Sequence, residues 1–463
     1  MQVTEEILTQ LRTIVGAANV LVEVDRLEPY SHDETVGLQS APDVVVRVTD
    51  ARQVAEIFRL ANRVRLPVTP RGAGYGLSGG AVAVQGGLVL SLEKMNRILE
   101  IDRANLMVTV EPGVITGDLH RAVEAEGLFY PPDPASLDSC SIGGNLAEGA
   151  GGPRAVKYGT TKDYVVGAEV VLPSGDIVQM GGKRVKDVTG YNLLQLLVGS
   201  EGTLAVVTKI ILRLLPLPAY QVDLLVPFDS LQTAADVVSA IIARRIVPTA
   251  IEFMERDVVL ACQRFLGKEL PYAQAAAQLL IQLDGNHKAA LDAEMETVAD
   301  LCLEAGALDV LVAADRPTRD RLWEARRAII DALNHESPVN HMEDVVVPRA
   351  QIPALIQAVH NLAGRRGVRI LSFGHAGDGN VHITTLADDL DAEAWAILVP
   401  QVTEELYRLC LALGGTITGE HGIGAIRRRY LPLALEEVQI EIMRRIRAAF
   451  DPNGILNPGK IFP

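Results

Sequence analysis

The chain of 463 residues predicts an α+β protein of two or three compact units, and three features of the sequence predict it. From Asp43 onward, short Val-rich strands alternate with amphipathic helices. Glycine gathers in separate loops rather than in a repeat. The texture then changes after Leu215-Pro216-Leu217-Pro218, where alanine-rich helices take over and glycine thins out until about residue 370. These changes divide the chain into a helical N-terminal segment (1–40), a glycine-rich unit (41–218), a helix-and-strand unit (219–410) and a C-terminal segment (411–463).

Each element has a local reason. MQVTEEILTQLRTIV is acidic and amphipathic, which predicts a short helix and not a signal peptide. After Thr49-Asp50, Val54, Ile57, Phe58, Ala61 and Val64 recur at helical spacing behind a capping aspartate. Leu66 to Pro70 is extended, and Gly87 to Leu92 is a strand. Val165 to Met180 is a hairpin turning on Pro173-Ser174-Gly175-Asp176. Thr203 to Leu215 is another strand. Glycine loops occupy Ser141 to Gly152 and Gly199 to Gly202, and a last helix, Glu436 to Phe450, ends at Asp451-Pro452-Asn453-Gly454.

Composition excludes several functions. The chain carries 58 Asp and Glu against 43 Lys and Arg, net −15, a balance that repels phosphate backbones. The two basic runs, Arg427-Arg428-Arg429 and Arg444-Arg445-Ile446-Arg447, are expected to be solvated helix faces. Cys140, Cys262, Cys302 and Cys410 stand far apart, so neither a disulfide framework nor an iron–sulfur cluster is expected, and a cytoplasmic location is. No run of apolar residues reaches membrane-spanning length.

The loop Pro70-Arg71-Gly72-Ala73-Gly74-Tyr75-Gly76-Leu77-Ser78-Gly79-Gly80 contains both G-x-G-x-x-G and G-x-S-x-G. Each motif needs a helix immediately after it, and AVAVQGGLVLSL reads instead as a strand candidate broken by Gly86-Gly87, so neither a dinucleotide turn nor a nucleophile elbow at Ser78 is expected. What remains is a strand–loop–strand whose backbone N–H groups can converge on an anion. With the glycines near 141–152 and 199–202, it suits a large, flat ligand carrying phosphates.

Phe373-Gly374-His375-Ala376-Gly377-Asp378-Gly379-Asn380-Val381-His382 places two histidines seven apart. On one straight strand they would face opposite ways, but Gly377-Asp378-Gly379-Asn380 is turn chemistry that can fold the strand back and bring both imidazoles to one side. Gly419-Glu420-His421-Gly422 adds a carboxylate and a third imidazole. Two imidazoles with one carboxylate make an open site for zinc, manganese or iron. Arg326, in Leu322-Trp323-Glu324-Ala325-Arg326, offers a fork for a substrate carboxylate or is a solvated helix arginine.

The loop PRGAGYGLSGG, then DPASLDSCSIGGN, AGG and GSEGTLAVVT, in that order, resemble the FAD domain of the vanillyl-alcohol-oxidase, or PCMH, type. HAGDGNVH, GEHGIG and LNPGK narrow the resemblance to the FAD-linked D-2-hydroxyacid dehydrogenases, the group that includes glycolate oxidase flavin subunits and D-lactate dehydrogenases, across residues 30 to 463. It implies a non-Rossmann, two-subdomain FAD-binding domain, an α+β substrate or cap domain, and a C-terminal segment returning to the flavin.

FAD contacts are implied for Arg71, Gly72, Ala73, Gly74, Tyr75, Gly76, Leu77, Ser78, Gly79, Pro132, Ser136, Ser141, Ile142, Gly143, Gly144, Asn145, Gly149, Ala150, Gly151, Glu201, Gly202, Val206 and Asn457. Relatives with covalent flavin have a histidine where Tyr75 stands, and the surroundings of Cys140 match the non-covalent pattern, so FAD is expected without a bond. His375, His382 and Glu420 are implied as ligands of a divalent metal, zinc being favoured, His421 as general base, and Arg326, Thr384 and His421 as substrate-binding. The implied reaction passes hydride from C2 of a 2-hydroxy acid to the flavin.

Relatives acting on hydroxyglutarate differ at three places, where this chain has Ile330, Met342 (two before Asp344) and Thr384. A second substrate carboxylate would be poorly matched, which favours lactate or glycolate. His335 and His341 are expected to be loop residues rather than ligands. Reduced flavin needs an outlet, so an iron–sulfur subunit, an electron-transferring flavoprotein or a carrier is expected as partner. A partner could also hold the protein peripherally at a membrane. The alternatives are a flavoprotein transferase of the alkylglycerone-phosphate synthase type, a D-2-hydroxyglutarate dehydrogenase and a non-catalytic subunit.

Overall fold

The computed structural model describes residues 3–463. It holds two compact units, each assembled from separated stretches of chain. The first takes the chain up to Gly151, then Thr160–Leu217 and Glu420–Pro463, and the second takes Gly152–Gly159 and Pro218–Gly419.

In the first unit, Val44–Arg47, Leu88–Ser91 and Val68–Arg71 run parallel side by side, with Val20–Leu21 antiparallel at the edge. The helix Ala51–Val64 begins where expected because the Asp50 carboxylate accepts the N–H groups of Arg52 and Gln53 at 2.8 and 3.0 Å. Its face Val54, Ile57, Phe58 and Ala61 is buried, with Val64 partly so, in a core that reaches Leu88, Leu90 and Val206. The strand expected at Gly87–Leu92 forms as Leu88–Ser91, and Gly86 and Gly87, both at positive φ, turn the chain just before it.

A second sheet is antiparallel throughout, in the order Ile98–Asp102, Met107–Val110, Val206–Arg213, Val165–Val171, Ile177–Gly181. Its hairpin turns at Pro173–Asp176 as the sequence predicts, with Leu172 N donating to Asp176 O at 2.9 Å. Along Val206–Arg213, buried residues alternate with more accessible ones, the mark of a sheet with one covered face.

Two expectations need correction here. The stretch from Ser141 is not all loop, for Ile142–Glu148 is a helix. Ser141 Oγ accepts Gly144 N at 3.3 Å to start it, and Gly149, at φ 72°, ends it. Nor are the basic runs wholly solvated. Arg427 is 1% exposed and donates Nη1 to Gly422 O at 3.1 Å; burial raises the pKa of the Glu148 and Glu201 carboxyls, and the charge of Arg427 opposes that rise. Arg447 Nη2 donates to Leu456 O at 3.0 Å, tying down the tail.

That tail belongs to the first sheet. Leu456 bridges Val68 in parallel, with Val68 N donating to Ile455 O and Asn457 N to Val68 O, both at 2.8 Å. Lys460 is buried and donates Nζ to Val82 O at 2.6 Å. Burial pulls its ammonium down to about 8, against the charges of Asp33 and Glu201, which raise it; Arg428 and Arg447 add to the lowering. Between about pH 8 and the usual lysine value the folded chain therefore holds fewer protons than the unfolded one, and stability rises with pH. Below pH 8 the full cost of the buried charge is present. Denaturant titrations should show the gap between the native chain and Lys460→Met shifting in favour of the native chain from pH 7.5 to 10, by at most about 3 kcal/mol. A pH-independent gap would refute this.

The second unit is a seven-stranded antiparallel sheet ordered Leu311–Ala313, Tyr220–Phe228, Ala277–Gly285, Ala250–Glu255, Arg369–His375, Asn380–Leu386, Asn340–Val346. Helices cover it, among them Leu231–Ala243, Arg256–Leu266, Lys288–Glu304, Ile329–Glu336 and Ile352–Arg366. Its inner strands are buried along nearly their whole length, which makes the charged residues on them conspicuous: Asp223 and Glu252 are each 0% exposed, as is Asp344 on the edge strand Asn340–Val346. No helix among the described residues is long and apolar enough to cross a membrane.

Candidate functional site

The histidine hairpin folds as its turn residues require. Arg369–His375 and Asn380–Leu386 pair antiparallel with His375 opposite Asn380 and Phe373 opposite His382, so the two histidines are diagonal neighbours on one face. Their ring centres lie 5.3 Å apart, edge to face. Gly379 closes the turn at φ 92°, where a Cβ would run into Val347 O. Both imidazoles are nearly fully buried.

Beside them stands a residue that no motif pointed to. Glu252, on the neighbouring strand, pairs directly with His375 across the sheet. Its Oε1 lies 2.6 Å from His375 Nδ1, and its Oε2 accepts Arg326 Nε at 2.7 Å. Burial alone would raise the Glu252 pKa, but the charges and hydrogen bonds of His375 and Arg326 bring it below the usual carboxylate range. Arg326 is not a solvated helix arginine. It is 8% exposed, lies 5.3 Å from the centre of the Phe373 ring, and its two Nη groups make no hydrogen bond among the described residues.

Asp344 ties the next strand to the same hairpin. Its Oδ1 accepts Asn380 Nδ2 at 2.5 Å and faces His382 Nδ1 at 3.8 Å, while Oδ2 accepts Thr418 Oγ1 and Gly419 N at 3.0 and 2.8 Å. Glu420 and His421 follow directly in the chain. Thr384, two residues past His382 on the same strand face, is 0% exposed and its hydroxyl has no hydrogen-bond partner among the described residues. Met342 sits opposite it in the register, and Ile330 is 41% exposed. His335 and His341 are not in loops. His335 ends a helix and packs edge-on against Phe265, and His341 lies on an edge strand with Nε2 2.7 Å from Glu343 Oε1.

In the first unit, no helix follows the loop after Arg71, in keeping with the sequence argument against a dinucleotide turn or a nucleophile at Ser78. Gly72 lies against Ser141, whose Oγ also accepts Ala73 N at 3.3 Å, so the 71–79 loop and the helix start at Ser141 are held together. Several expected cofactor residues use their side chains internally. Arg71 donates to Pro29 O and His32 O, Asn145 to Thr116 Oγ1, and Asn457 Nδ2 to Gly80 O and Glu201 O. Ile142 and Val206 are buried apolar residues, and Pro132 O receives His120 Nε2 at 2.9 Å. Backbone at Gly72–Gly79, Gly143, Gly144, Gly149–Gly151 and Gly202, with Ser136, Leu77 and the half-exposed Tyr75, is what these stretches can offer a ligand. Cys140 is buried with Sγ 3.2 Å from Thr116 Oγ1, and all four cysteines are free.

Glu201 has a different part. Its Oε1 accepts Ile423 N at 2.8 Å and its Oε2 accepts Gly424 N at 2.6 Å, pinning the turn that follows His421.

Residues 42–181 match the FAD binding domain family, and residues 217–461 match the C-terminal domain of FAD linked oxidases. This chain belongs to the FAD-linked oxidase family. It is 42% identical over 460 residues to the glycolate oxidase subunit GlcD of Bacillus subtilis, covering 99% of this chain and 97% of that one. To the D-lactate dehydrogenase of Anaerostipes hadrus it is 40% identical over 466 residues, covering 99% and 98%. Among solved structures, p-cresol methylhydroxylase superposes with a TM-score of 0.82 at 20% identity, covering 99% of this chain and 96% of that one. An alkyldihydroxyacetonephosphate synthase superposes at 0.77 and 17% identity, covering 98% and 86%. The fold of this oxidase is thus the PCMH-type α+β fold, and the enzyme is an oxidoreductase that uses FAD.

The first unit of the oxidase suits that cofactor. Ser78 Oγ and Asn457 Oδ1 are buried without a hydrogen-bond partner among the described residues, and the glycines at 72 and 79 sit where a Cβ would strike Ser141 Oγ or Leu38. In the second unit His382 and Asp344 carry ligand atoms of a kind that can hold a cation, whereas Nδ1 of His375 is engaged by Glu252. No sequence motif marks Glu252 or the internal roles of Glu201 and Asp344. A glutamate inside the apolar strand AIEFME was the one visible sign of the first.

Proposed function

We propose that this FAD-linked oxidase converts a small D-2-hydroxy acid, lactate or glycolate, to its 2-oxo acid, with FAD bound non-covalently and a divalent metal, zinc in preference to manganese or iron, held by His375, His382 and Glu420. One observation carries the reading: His375 and Arg326 are anchored on the same buried carboxylate. A 2-hydroxy acid needs a site for its hydroxyl oxygen next to a cation for its carboxylate, and these two side chains supply the pair. The likeness to a glycolate oxidase subunit and a D-lactate dehydrogenase over almost the whole chain supports it.

When bound, FAD supplies a two-electron acceptor and the metal a Lewis acid for the hydroxyl oxygen. Arg326 holds the substrate carboxylate through its Nη groups, and Thr384 offers its hydroxyl to the substrate. His421 takes the hydroxyl proton on its imidazole, the side chain best suited to that task near neutral pH. Electrons pass on to an iron–sulfur subunit, an electron-transferring flavoprotein or a carrier, and the enzyme works in the cytoplasm.

Anaerobic addition of D-lactate, glycolate and D-2-hydroxyglutarate to the purified flavoprotein tests this. One of the first two should bleach the visible flavin band fastest, since Met342 and Ile330 offer no charge for a second carboxylate. Fastest bleaching by D-2-hydroxyglutarate would overturn the substrate choice, and no bleaching by any of the three would favour a non-redox transferase. Metal analysis is the companion measurement. His375→Ala should purify with almost none of the metal that the native protein carries, and unchanged content would sink the ligand assignment.

A further inference from the structure

We propose that Glu252 is the positioning residue of this site: one carboxylate that sets the orientation of both the metal-ligating His375 and the substrate-binding Arg326, so that cation and substrate affinity depend on the same side chain. The inference rests on the reading above and extends it to a residue that no motif marks.

The geometry assigns the role. Glu252 lies on an inner strand of the seven-stranded sheet, flanked on one side by Ala277–Gly285 and on the other by Arg369–His375, and it is 0% exposed. A lone carboxylate there would be strongly disfavoured, so its retention requires partners for both oxygens. It has one for each: His375 Nδ1 at 2.6 Å and Arg326 Nε at 2.7 Å. An imidazole that donates Nδ1–H to a carboxylate keeps its other nitrogen, Nε2, as the lone-pair side, turned away from Glu252. That fixes the tautomer a metal ligand needs and raises its basicity. A guanidinium held through Nε keeps its two Nη groups parallel and open, which is the fork that grips a carboxylate. Each bond thus takes the end of a side chain that the chemistry does not use. Phe373 lies against the guanidinium, its ring centre 5.3 Å away, and directly opposite His382 in the hairpin.

Glu252→Gln separates this role from a structural one. The amide keeps the shape but provides one acceptor oxygen and one N–H₂ where two donors converge, so either Arg326 loses its bond or His375 must accept at Nδ1 and carry its proton on Nε2, the nitrogen a metal needs. The test uses the full FAD-loaded protein stripped of metal. Zinc and manganese affinity are read by competition with a chromophoric chelator, and binding of the 2-oxo acid pyruvate to the metal-free protein is read by its perturbation of the flavin spectrum. In Glu252→Gln we expect metal affinity to fall about 10- to 100-fold, and pyruvate binding to weaken with no metal present. Glu252→Asp, which keeps both acceptor oxygens on a shorter stem, should recover part of both.

A structural role would lower the melting temperature while leaving metal affinity per folded molecule unchanged, and that result overturns the proposal. So does loss of metal affinity with pyruvate binding intact, because the residue would then serve His375 alone. If Glu252→Gln fails to fold, the same two readouts on Glu252→Asp decide, and native affinities in that variant together with a low melting temperature count against the proposal. If the native protein itself binds neither zinc nor manganese, the metal reading fails first and this assignment with it, whereas native binding with an unaffected Glu252→Gln refutes Glu252 alone.

Discussion

Replacing His421 with alanine should leave FAD bound and slow its reduction by hydroxy acid by about 10²- to 10⁴-fold, the range a positioned general base contributes. The alanine removes only the imidazole. The turn after it is held by Glu201, which accepts the N–H groups of Ile423 and Gly424, and Gly422 already has the positive φ that the turn requires. The flavin loops therefore keep their shape and the visible spectrum should be native. Anaerobic stopped-flow reduction measures the step directly, without the unknown acceptor. Native reduction kinetics in His421→Ala would remove His421 from the reaction. A variant that lost FAD would instead show that the residue supports the cofactor.

The second large effect is expected at Arg326. Arg326→Met removes two charge-assisted hydrogen bonds to the substrate carboxylate, each worth about 1.5–3 kcal/mol, so kcat/KM should fall at least a hundredfold, on the order of 1.4 kcal/mol per decade. It also strips Glu252 of one partner, and breaking a buried pair costs about 3–5 kcal/mol of stability. Arg326→Lys separates the two consequences. A lysine keeps a charge near Glu252 and should fold, yet it lacks the planar fork and should still raise KM strongly. Both variants need their kinetics expressed per FAD-loaded molecule. If KM for the hydroxy acid is native in the lysine variant, the carboxylate is held elsewhere.

The residues that could be read from sequence are those whose local chemistry is self-contained. The turn Gly377-Asp378-Gly379-Asn380 was enough to predict that His375 and His382 would share a face, and Asp50 and Pro173–Asp176 announced a helix start and a hairpin. Ser141–Glu148 was harder, because two glycines disguise a helix that a serine cap starts and a left-handed Gly149 ends. Arg427 looked like part of a solvated run. Only the tertiary arrangement, which buries Glu148 and Glu201, gives it a reason to be inside. Glu252 was invisible for the same kind of reason: its partners lie 74 and 123 residues away, and no local pattern encodes that distance.

The first unit is written in three separate pieces, and its parallel sheet takes Leu456 beside Val68 from the last of them. On the ribosome, the residues of the second unit from Pro218 to Gly419 emerge before that last piece does, and all seven strands of its sheet lie within them. The cofactor-binding unit must wait. Its Asn457 and Lys460 bonds to Glu201, Gly80 and Val82 can form only when synthesis is nearly finished. Capacity to hold flavin is therefore acquired last, and a nascent chain stalled short of residue 455 would carry the whole sheet of the second unit but an unfinished cofactor unit.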